Sequence, residues 1–154
     1  MQHKIGVIPF SIDGDGMAIM FVTSQNGGQW ILPKGNLEAR ESHKQGCKRE
    51  AFEEAGVKGK ILENFPITAL ITKTTASAVE ETAVTYYPML VTKELDKWPE
   101  KSKRQRRWAP LKQAHRMNDR QDFRRLIKQF TAFEPWLLAS VKQKPLPPKQ
   151  RRPR

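Results

Sequence analysis

Between Ser42 and Ala55 the chain changes rhythm, and that change limits what it can fold into. Cys47, Ala51 and Ala55 recur there at four-residue spacing, which winds them onto one narrow apolar stripe of a helix. Ser42 is placed to cap the amino end and Gly56 to stop the carboxyl end. Around this helix the pattern is that of strands. Ile5, Val7 and Pro9 alternate in a first extended segment, Met17 to Thr23 forms a second, and Asp13-Gly14-Asp15-Gly16 supplies the turn between them. Asn26-Gly27-Gly28 breaks the chain before a short strand at Trp30-Ile31-Leu32. Residues 60–65, 67–74 and 82–92 are rich in β-branched and aromatic residues and read as three more strands, with a last short one at Arg106 to Ala109.

A second helix is expected over 119–133, where Phe123, Leu126, Ile127 and Phe130 follow the i, i+3, i+4, i+7 rule and Asn118 or Asp119 stands at the cap position. Strands with a central and a carboxy-terminal helix imply a mixed sheet covered by helices, an α/β or α+β sandwich. With 154 residues and 38% hydrophobic content the chain suits one domain, set at 1–141. Residues 142–154 carry six Lys or Arg, no acid, and Pro145, Pro147, Pro148 and Pro153, so a disordered basic tail is expected. The formal charge of +12 favours polyanionic partners, although the tail holds half of it. A lone Cys47 excludes an internal disulfide and a zinc site and suits a reducing compartment. Neither a signal peptide nor a spanning segment is read, so the expected location is the cytoplasm, with no membrane partner.

Helical winding also gathers charge. Glu50, Glu53 and Glu54 fall within a sector of about 100°. Three carboxylates so placed repel one another, and a divalent cation relieves the repulsion. Mg2+, with its preference for oxygen ligands and for sharing substrate phosphates, suits such an edge, and Mn2+ suits the same geometry. Gly46 lies one turn earlier, where a missing side chain either leaves room for a ligand or is simply a weak spot in the helix.

Gly35, Glu41, Arg49, Glu50, Glu53, Glu54 and Gly56, with Ala51 and Val57 between and after them, resemble the signature box of the Nudix hydrolases at all seven of its fixed positions. Ala51 departs mildly, standing where a bulkier aliphatic residue is usual. The resemblance implies a Nudix-like αβα sandwich with a mixed central sheet, a catalytic loop-helix-loop and a C-terminal helix. It implies Glu50 and Glu54 as metal ligands, Glu53 as a further ligand or the general base, and a metal contact from the backbone carbonyl of Lys34 beside Gly35. Arg49 is then expected to orient a carboxylate, together with Glu41.

Trp30-Ile31-Leu32-Pro33-Lys34-Gly35, the Phe52 to Gly59 stretch and Trp108-Ala109-Pro110-Leu111 are similar, more weakly, to the branch that cleaves diphosphoinositol polyphosphates and diadenosine polyphosphates. The activity this resemblance implies is hydrolysis, with water splitting a phosphoanhydride bond in a small, strongly anionic polyphosphate. An RNA 5′-pyrophosphohydrolase and a non-catalytic nucleotide- or RNA-binding module are the alternatives, since basic runs also bind nucleic-acid backbones. Lys34, Arg104 and Arg106 are candidate phosphate contacts. The run from Lys101 to Arg107 equally suits a charged, aggregation-resistant edge. Trp30 and Trp108 stack on a base or pack in the core, Glu80 and Glu81 are an outer acid or a polar loop, and the spacing does not decide whether Lys73 faces substrate. His3, His43 and His115 have no paired spacing and read as exposed.

Overall fold

The computed structural model describes residues 3–74 and 76–142. Its centre is strand β1 (His3–Asp13), which turns back at Asp13 to Gly16 into β2 (Gly16–Thr23) with antiparallel pairing from Phe10↔Ile19 to Asp13↔Gly16. Asp15 N–H donates to Asp13 Oδ1 at 2.7 Å, and Gly16 takes a φ of 111°, which a side chain would oppose. Short strands β3 (Trp30–Ile31) and β4 (Lys34–Gly35) pair with β2 and β1 respectively. Beyond α1 (His43–Glu50) come β5 (Val57–Ile61), β6 (Ile67–Thr74) and the long β7 (Val79–Glu94). β7 runs parallel to β1 from His3↔Ala83 to Phe10↔Leu90, and its far edge carries β6 and then β5, both antiparallel. β8 (Arg106–Pro110) closes the other side against β2, followed by α2 (Leu111–Ala114), α3 (Gln121–Ala132) and α4 (Glu134–Lys142).

Because side chains alternate across a strand, the sheet presents two apolar faces. Ile5, Val7, Met20, Val22 and Met89 point to one, where Cys47, Ala51 and Ala55 pack on them. Ile8, Phe10, Ile19, Phe21 and Val84 point to the other, where Phe123, Leu126, Ile127 and Phe130 of α3 and Leu137 of α4 close the core. Phe10 meets Phe130 at a centroid distance of 5.9 Å and Phe21 meets Phe123 at 5.6 Å. Fully burying one such ring stabilises the fold by about 2 kcal/mol. The mixed sheet between helices is the αβα sandwich expected from the sequence.

Several boundaries move, each for a physical reason. β5 occupies 57–61 rather than 60–65, because Val57 enters the sheet directly after Gly56, while Leu62 to Phe65 form a turn in which Leu62 N–H reaches Pro88 O at 2.9 Å. β7 extends over sixteen residues through Pro88. The proline falls between the last β6 pair, Ile67↔Tyr86, and the first β5 pair, Ile61↔Met89, so its missing N–H breaks no ladder bond. Asn118 does not cap α3; its Oδ1 accepts from Arg120 N–H at 3.0 Å, its Nδ2 donates to Trp30 O at 3.0 Å, and Arg120 stands at the cap position. α4 takes the chain in helix to Lys142, the first residue of the expected tail, and the rest of that tail lies outside the described residues.

Candidate active site

The loop before α1 and the helix itself are locked together from the amino end. Ser42 and Gln45 form a reciprocal cap, Gln45 N–H to Ser42 Oγ at 3.1 Å and Ser42 N–H to Gln45 Oε1 at 2.9 Å. A Cβ on Gly46 would lie 2.7 Å from Leu37 and 3.1 Å from Glu41 Oε1, so the glycine lets the preceding loop pack onto the helix, a role distinct from both readings of the sequence. Arg49 then ties the loop to the acids. Its Nε and Nη2 donate to the two Glu41 oxygens at 2.7 and 2.8 Å, Nη2 also to Asn36 O at 2.9 Å, and Nη1 to Glu50 Oε2 at 3.0 Å. This bidentate grip holds the Glu41 carboxyl down at about 2 and raises the guanidinium above its ordinary value.

The acids themselves divide into a pair and an outlier. Glu50 and Glu54 are buried. The Glu50 carboxylate lies against the backbone of Gly35 so closely that a Cβ there would stand 1.9 Å from Oε2, which explains the glycine as a close-approach residue. Burial first, and then the hydrogen bond and charge of Glu50, push the Glu54 carboxyl far up, although Arg104 opposes this from 3.7 Å. Glu53 is half-buried, 3.5 Å from Arg49 Nη1, with its proton affinity raised by burial and by Glu50. As the side chains stand, no three acidic, imidazole or thiol groups among the described residues converge as metal ligands.

The acids are not set by plain α-helical winding. After Glu50 the helix widens into a π turn over Ala51–Ala55, and the Gly56 N–H is shared between Ala51 O and Phe52 O. A helix end leaves its last carbonyls without partners, and here the segment from Leu95 to Arg106 supplies them. Glu100 N–H donates to Glu53 O at 3.0 Å, Trp98 Nε1 to Glu54 O at 3.1 Å, Arg106 Nη1 to Ala55 O at 2.9 Å, and Leu95 N–H to Gly56 O at 2.8 Å. Trp98 also fills the space over Gly56, whose φ of 65° requires glycine, and stacks under Arg106 with 4.0 Å from guanidinium to ring centre. Arg106 further donates Nη2 to Leu95 O at 2.7 Å. Nη1 and Nη2 are thus directed at the backbone, Nε stands 3.6 Å from Glu94 Oε1, and Arg106, read from the sequence as a phosphate contact, is not among the residues that line the cavity.

Beside the acid pair opens a cavity of about 730 Å³ whose lining includes Lys34, Lys73, Arg104 and Arg120. The sequence points to Lys34 and Arg104, does not decide Lys73, and gives no sign of Arg120. Arg104 is pinned by Glu100 at 2.7 Å and by Thr23 O at 2.9 Å, between the cavity and Glu54. Arg120 pairs with Asp122 Oδ2 at 2.6 Å and bonds Thr72 O, while Thr72 N–H donates to the same Asp122 oxygen at 2.9 Å. The first turn of α3 thereby covers the open edge of β6, and Asp122 Oδ1 is left buried without a hydrogen-bond partner among the described residues. The signal that Arg120 and Asp122 belong together is their i, i+2 spacing across a helix start, too common to single out.

The remaining candidates scatter. Trp30 and Trp108 are half-buried outside the cavity lining, and Trp108 Nε1 donates to Glu94 at 3.2 Å. Glu80 and Glu81 are exposed on β7, away from the acid pair's ion contacts. His3 and His43 do meet, rings 6.4 Å apart, with His3 bonded to Thr85 and His43 to Tyr87. Cys47 is buried, its thiol pushed up to about 12 by burial.

The acid-bearing helix thus lies on an αβα sandwich, with a cavity lined by four cations nearby. The family model for the NUDIX domain matches residues 2–130, and the chain belongs to that family. Among curated relatives it is 33% identical over 119 residues to "Nudix hydrolase 12, mitochondrial" of Arabidopsis thaliana, covering 74% of this chain and 58% of the relative. It is 34% identical to "Nudix hydrolase 18, mitochondrial" of the same plant, covering 73% and 66%. The chain thus spans less than two thirds of the length of these relatives. Over 67 residues, 42% of this chain and 41% of the other, it is 33% identical to "Diphosphoinositol polyphosphate phosphohydrolase 3-beta" of Bos taurus. In fold it is similar to a C. elegans Ap4A hydrolase binary complex, with a TM-score of 0.68 at 18% identity over 91% of this chain and 99% of that one. It is also similar to the NUDIX domain of Shewanella oneidensis NrtR complexed with ADP ribose, with a TM-score of 0.65 at 20% identity over 86% and 87%. Among the described residues no helix is long and apolar enough to cross a membrane.

Proposed function

We propose that this chain hydrolyses a phosphoanhydride bond in a small, strongly anionic substrate in the presence of Mg2+, with Mn2+ as a substitute. Diadenosine polyphosphates and diphosphoinositol polyphosphates are the first choices. The observation that carries the reading is the two buried acids of the helix, Glu50 against the bare backbone of Gly35 and Glu54 at 3.7 Å from Arg104, which lines a cationic cavity. Two buried carboxyls, with the proton affinity of Glu54 raised by burial and by its neighbour Glu50, are a hard oxygen donor set short of positive charge, which fits a dication. Glu50 and Glu54 would hold it, with the Lys34 carbonyl, water and substrate phosphate completing the shell. Bound there, the ion supplies charge neutralisation for the phosphates and acidifies the attacking water.

The chain's own groups do the rest. Arg49 fixes the Glu50 carboxylate and is itself fixed by Glu41. Glu53, partly exposed and with raised proton affinity, is suited to take the proton as water oxygen bonds to phosphorus and the bridging P–O electrons leave with the departing phosphate. Lys34 and Arg104 attract and align the anion. The setting we infer is the cytoplasm, in keeping with a single buried thiol.

The test is a panel of dinucleoside polyphosphates, diphosphoinositol polyphosphates and 5′-triphosphate RNA with Mg2+, run beside Glu54→Gln. Release of phosphate or mononucleotide from a small substrate, abolished in Glu54→Gln and by chelation, is expected. Turnover confined to RNA would replace the substrate class, and inactivity on every member would overturn the hydrolase reading.

A further inference from the structure

We propose that the helical layer on the face of the sheet opposite α1, with the outer side of α3 at its centre, is a docking surface for single-stranded RNA. This surface lies apart from the cavity and goes beyond the hydrolase reading.

Charge is divided unevenly along the chain. Residues 111–154 contain twelve Lys or Arg and three acids, nine of the twelve net positive charges, whereas the first 110 residues, the acid-bearing helix included, account for the other three. The described part of that segment folds as one layer, because Ala114 of α2, Leu126 and Phe130 of α3 and Leu137 of α4 share one core cluster. A helix that buries one stripe must show the opposite one. On α3 that stripe carries Arg124, Arg125 and Lys128, all exposed and within about 100° of one another by helical winding. Lys112 and Arg116 are exposed on the same layer, on and just after α2. No acid offsets the stripe from within α3, since Asp122 is turned to Arg120 and Thr72. Arg124 pairs with the fully solvated Asp119 at 3.4 Å; Lys112, Arg116, Arg125 and Lys128 form no ion pair among the described residues. None of these five cations lines the cavity.

The chemistry of the layer selects the partner. Cations gathered on an exposed face without counter-charges attract a polyanion, and guanidinium forks match phosphate oxygens. A lipid surface would need apolar side chains to enter it, and those of α3 point into the core. The one large apolar side chain this layer exposes among the described residues is Trp136, in the first turn of α4, at 63%. A lone indole on a cationic layer suits an unstacked base, because stacking on an aromatic face adds to phosphate pairing whatever the base. A duplex keeps its base faces covered and gains nothing from Trp136. Lys144, Lys149, Arg151, Arg152 and Arg154 follow α4 in the sequence with no acid among them and prolong the basic run. In the cytoplasm inferred above, the long single strands are RNA.

Fluorescence anisotropy of the full chain with a labelled uridine RNA of about 20 nucleotides, titrated in chelator at roughly 50 to 200 mM salt, tests this. The strand carries a 5′-hydroxyl, so it offers no phosphoanhydride. Binding by the native protein is expected, weakening as salt rises. Arg124→Ala, Arg125→Ala and Lys128→Ala combined should flatten the slope of log affinity against log salt by about 2, since each contact to a single-strand phosphate contributes about 0.7. Trp136→Ala should weaken binding about tenfold and leave that slope unchanged. A charge-matched control, Lys58→Ala, Lys60→Ala and Lys93→Ala combined on β5 and β7, should keep native affinity and slope. All these positions are exposed, and thermal melts check that every variant is folded. No binding by the native protein, equal losses in the two triple variants, or a duplex of the same length bound as tightly as the strand overturns the surface. Stronger retention on phosphatidylserine vesicles than on RNA overturns it in favour of a lipid partner. Because no turnover is read, none of these outcomes bears on the hydrolase reading.

Discussion

Replacing Arg106 by alanine separates two roles for one residue. If Arg106 grips substrate phosphate, its loss raises KM and leaves the fold alone. If it closes the end of the acid-bearing helix, its loss unlocks that helix. Its side chain is 16% exposed and donates to Ala55 O, Gly56 O and Leu95 O at 2.9, 3.3 and 2.7 Å, over the face of Trp98. The two short bonds from a charged donor are worth about 1.5 kcal/mol each, and the ring contact about 1 kcal/mol. The removal should therefore cost about 4 kcal/mol, a fall in Tm of roughly 8–16 °C for a chain of this size. Lysine at 106 recovers less than half, because one ammonium cannot serve carbonyls on two sides of the ring. Thermal melts of Arg106→Ala, Arg106→Lys and the exposed neighbour Arg107→Ala, with kcat and KM beside them, decide the matter. A Tm within about 2 °C of native with a raised, salt-sensitive KM would refute the clamp and restore the phosphate contact.

Gly35→Ala should fold but lower kcat by about a hundredfold, the scale for displacing a reacting group by about 1 Å, since the new Cβ would meet Glu50 Oε2 at 1.9 Å; native-like kcat would remove Gly35 from the site. Burial and Glu50 raise the Glu54 carboxyl from 4.5 to about 9, so the folded, metal-free protein keeps a proton that the unfolded chain has lost between those values. Metal-free stability should accordingly fall as pH rises through that window, Mg2+ should offset the fall, and Glu54→Gln should abolish it in urea melts. Ser42→Ala removes one half of the reciprocal cap and should cost about 1 kcal/mol in the same melts, with Gly at that position costing only a few tenths.

Local periodicity carried most of the fold. Ser42, Cys47, Ala51, Ala55 and Gly56 are read within fifteen residues, and the helix they specify forms where expected because its cap, stripe and stop all lie in its own sequence. The same locality made the acid trio legible. It also misled about the trio's geometry, because the π turn depends on where Gly56 N–H finds its acceptors. The run from Lys101 to Arg107 looks like a uniform basic patch in sequence. Its members instead sort by partners that lie far off in the chain: Arg104 reaches Thr23 O and Glu54, and Arg106 reaches Ala55 O, while Lys103 and Arg107 are exposed. No window of residues contains that distinction.

The long-range contacts matter because the site holds together groups that oppose one another. Among the described residues, Glu50 and Glu54 sit buried with ion pairs only to Arg49 on one side and Arg104 on the other, the second at 3.7 Å. Burying both acids is costly, and an unwound helix end would let them reach water. The reciprocal cap at Ser42 cannot prevent this, since it acts at the opposite end. What opposes it is the set of donors from Leu95 to Arg106 on the carbonyls of Glu53, Glu54, Ala55 and Gly56. Glu100 links the two effects, because its backbone N–H holds Glu53 O while its carboxylate holds Arg104 against Glu54. Any movement of that segment must shift the charge facing Glu54 and the helix turn carrying it together, so the same bonds set the electrostatics of Glu54 and the rigidity of the helix.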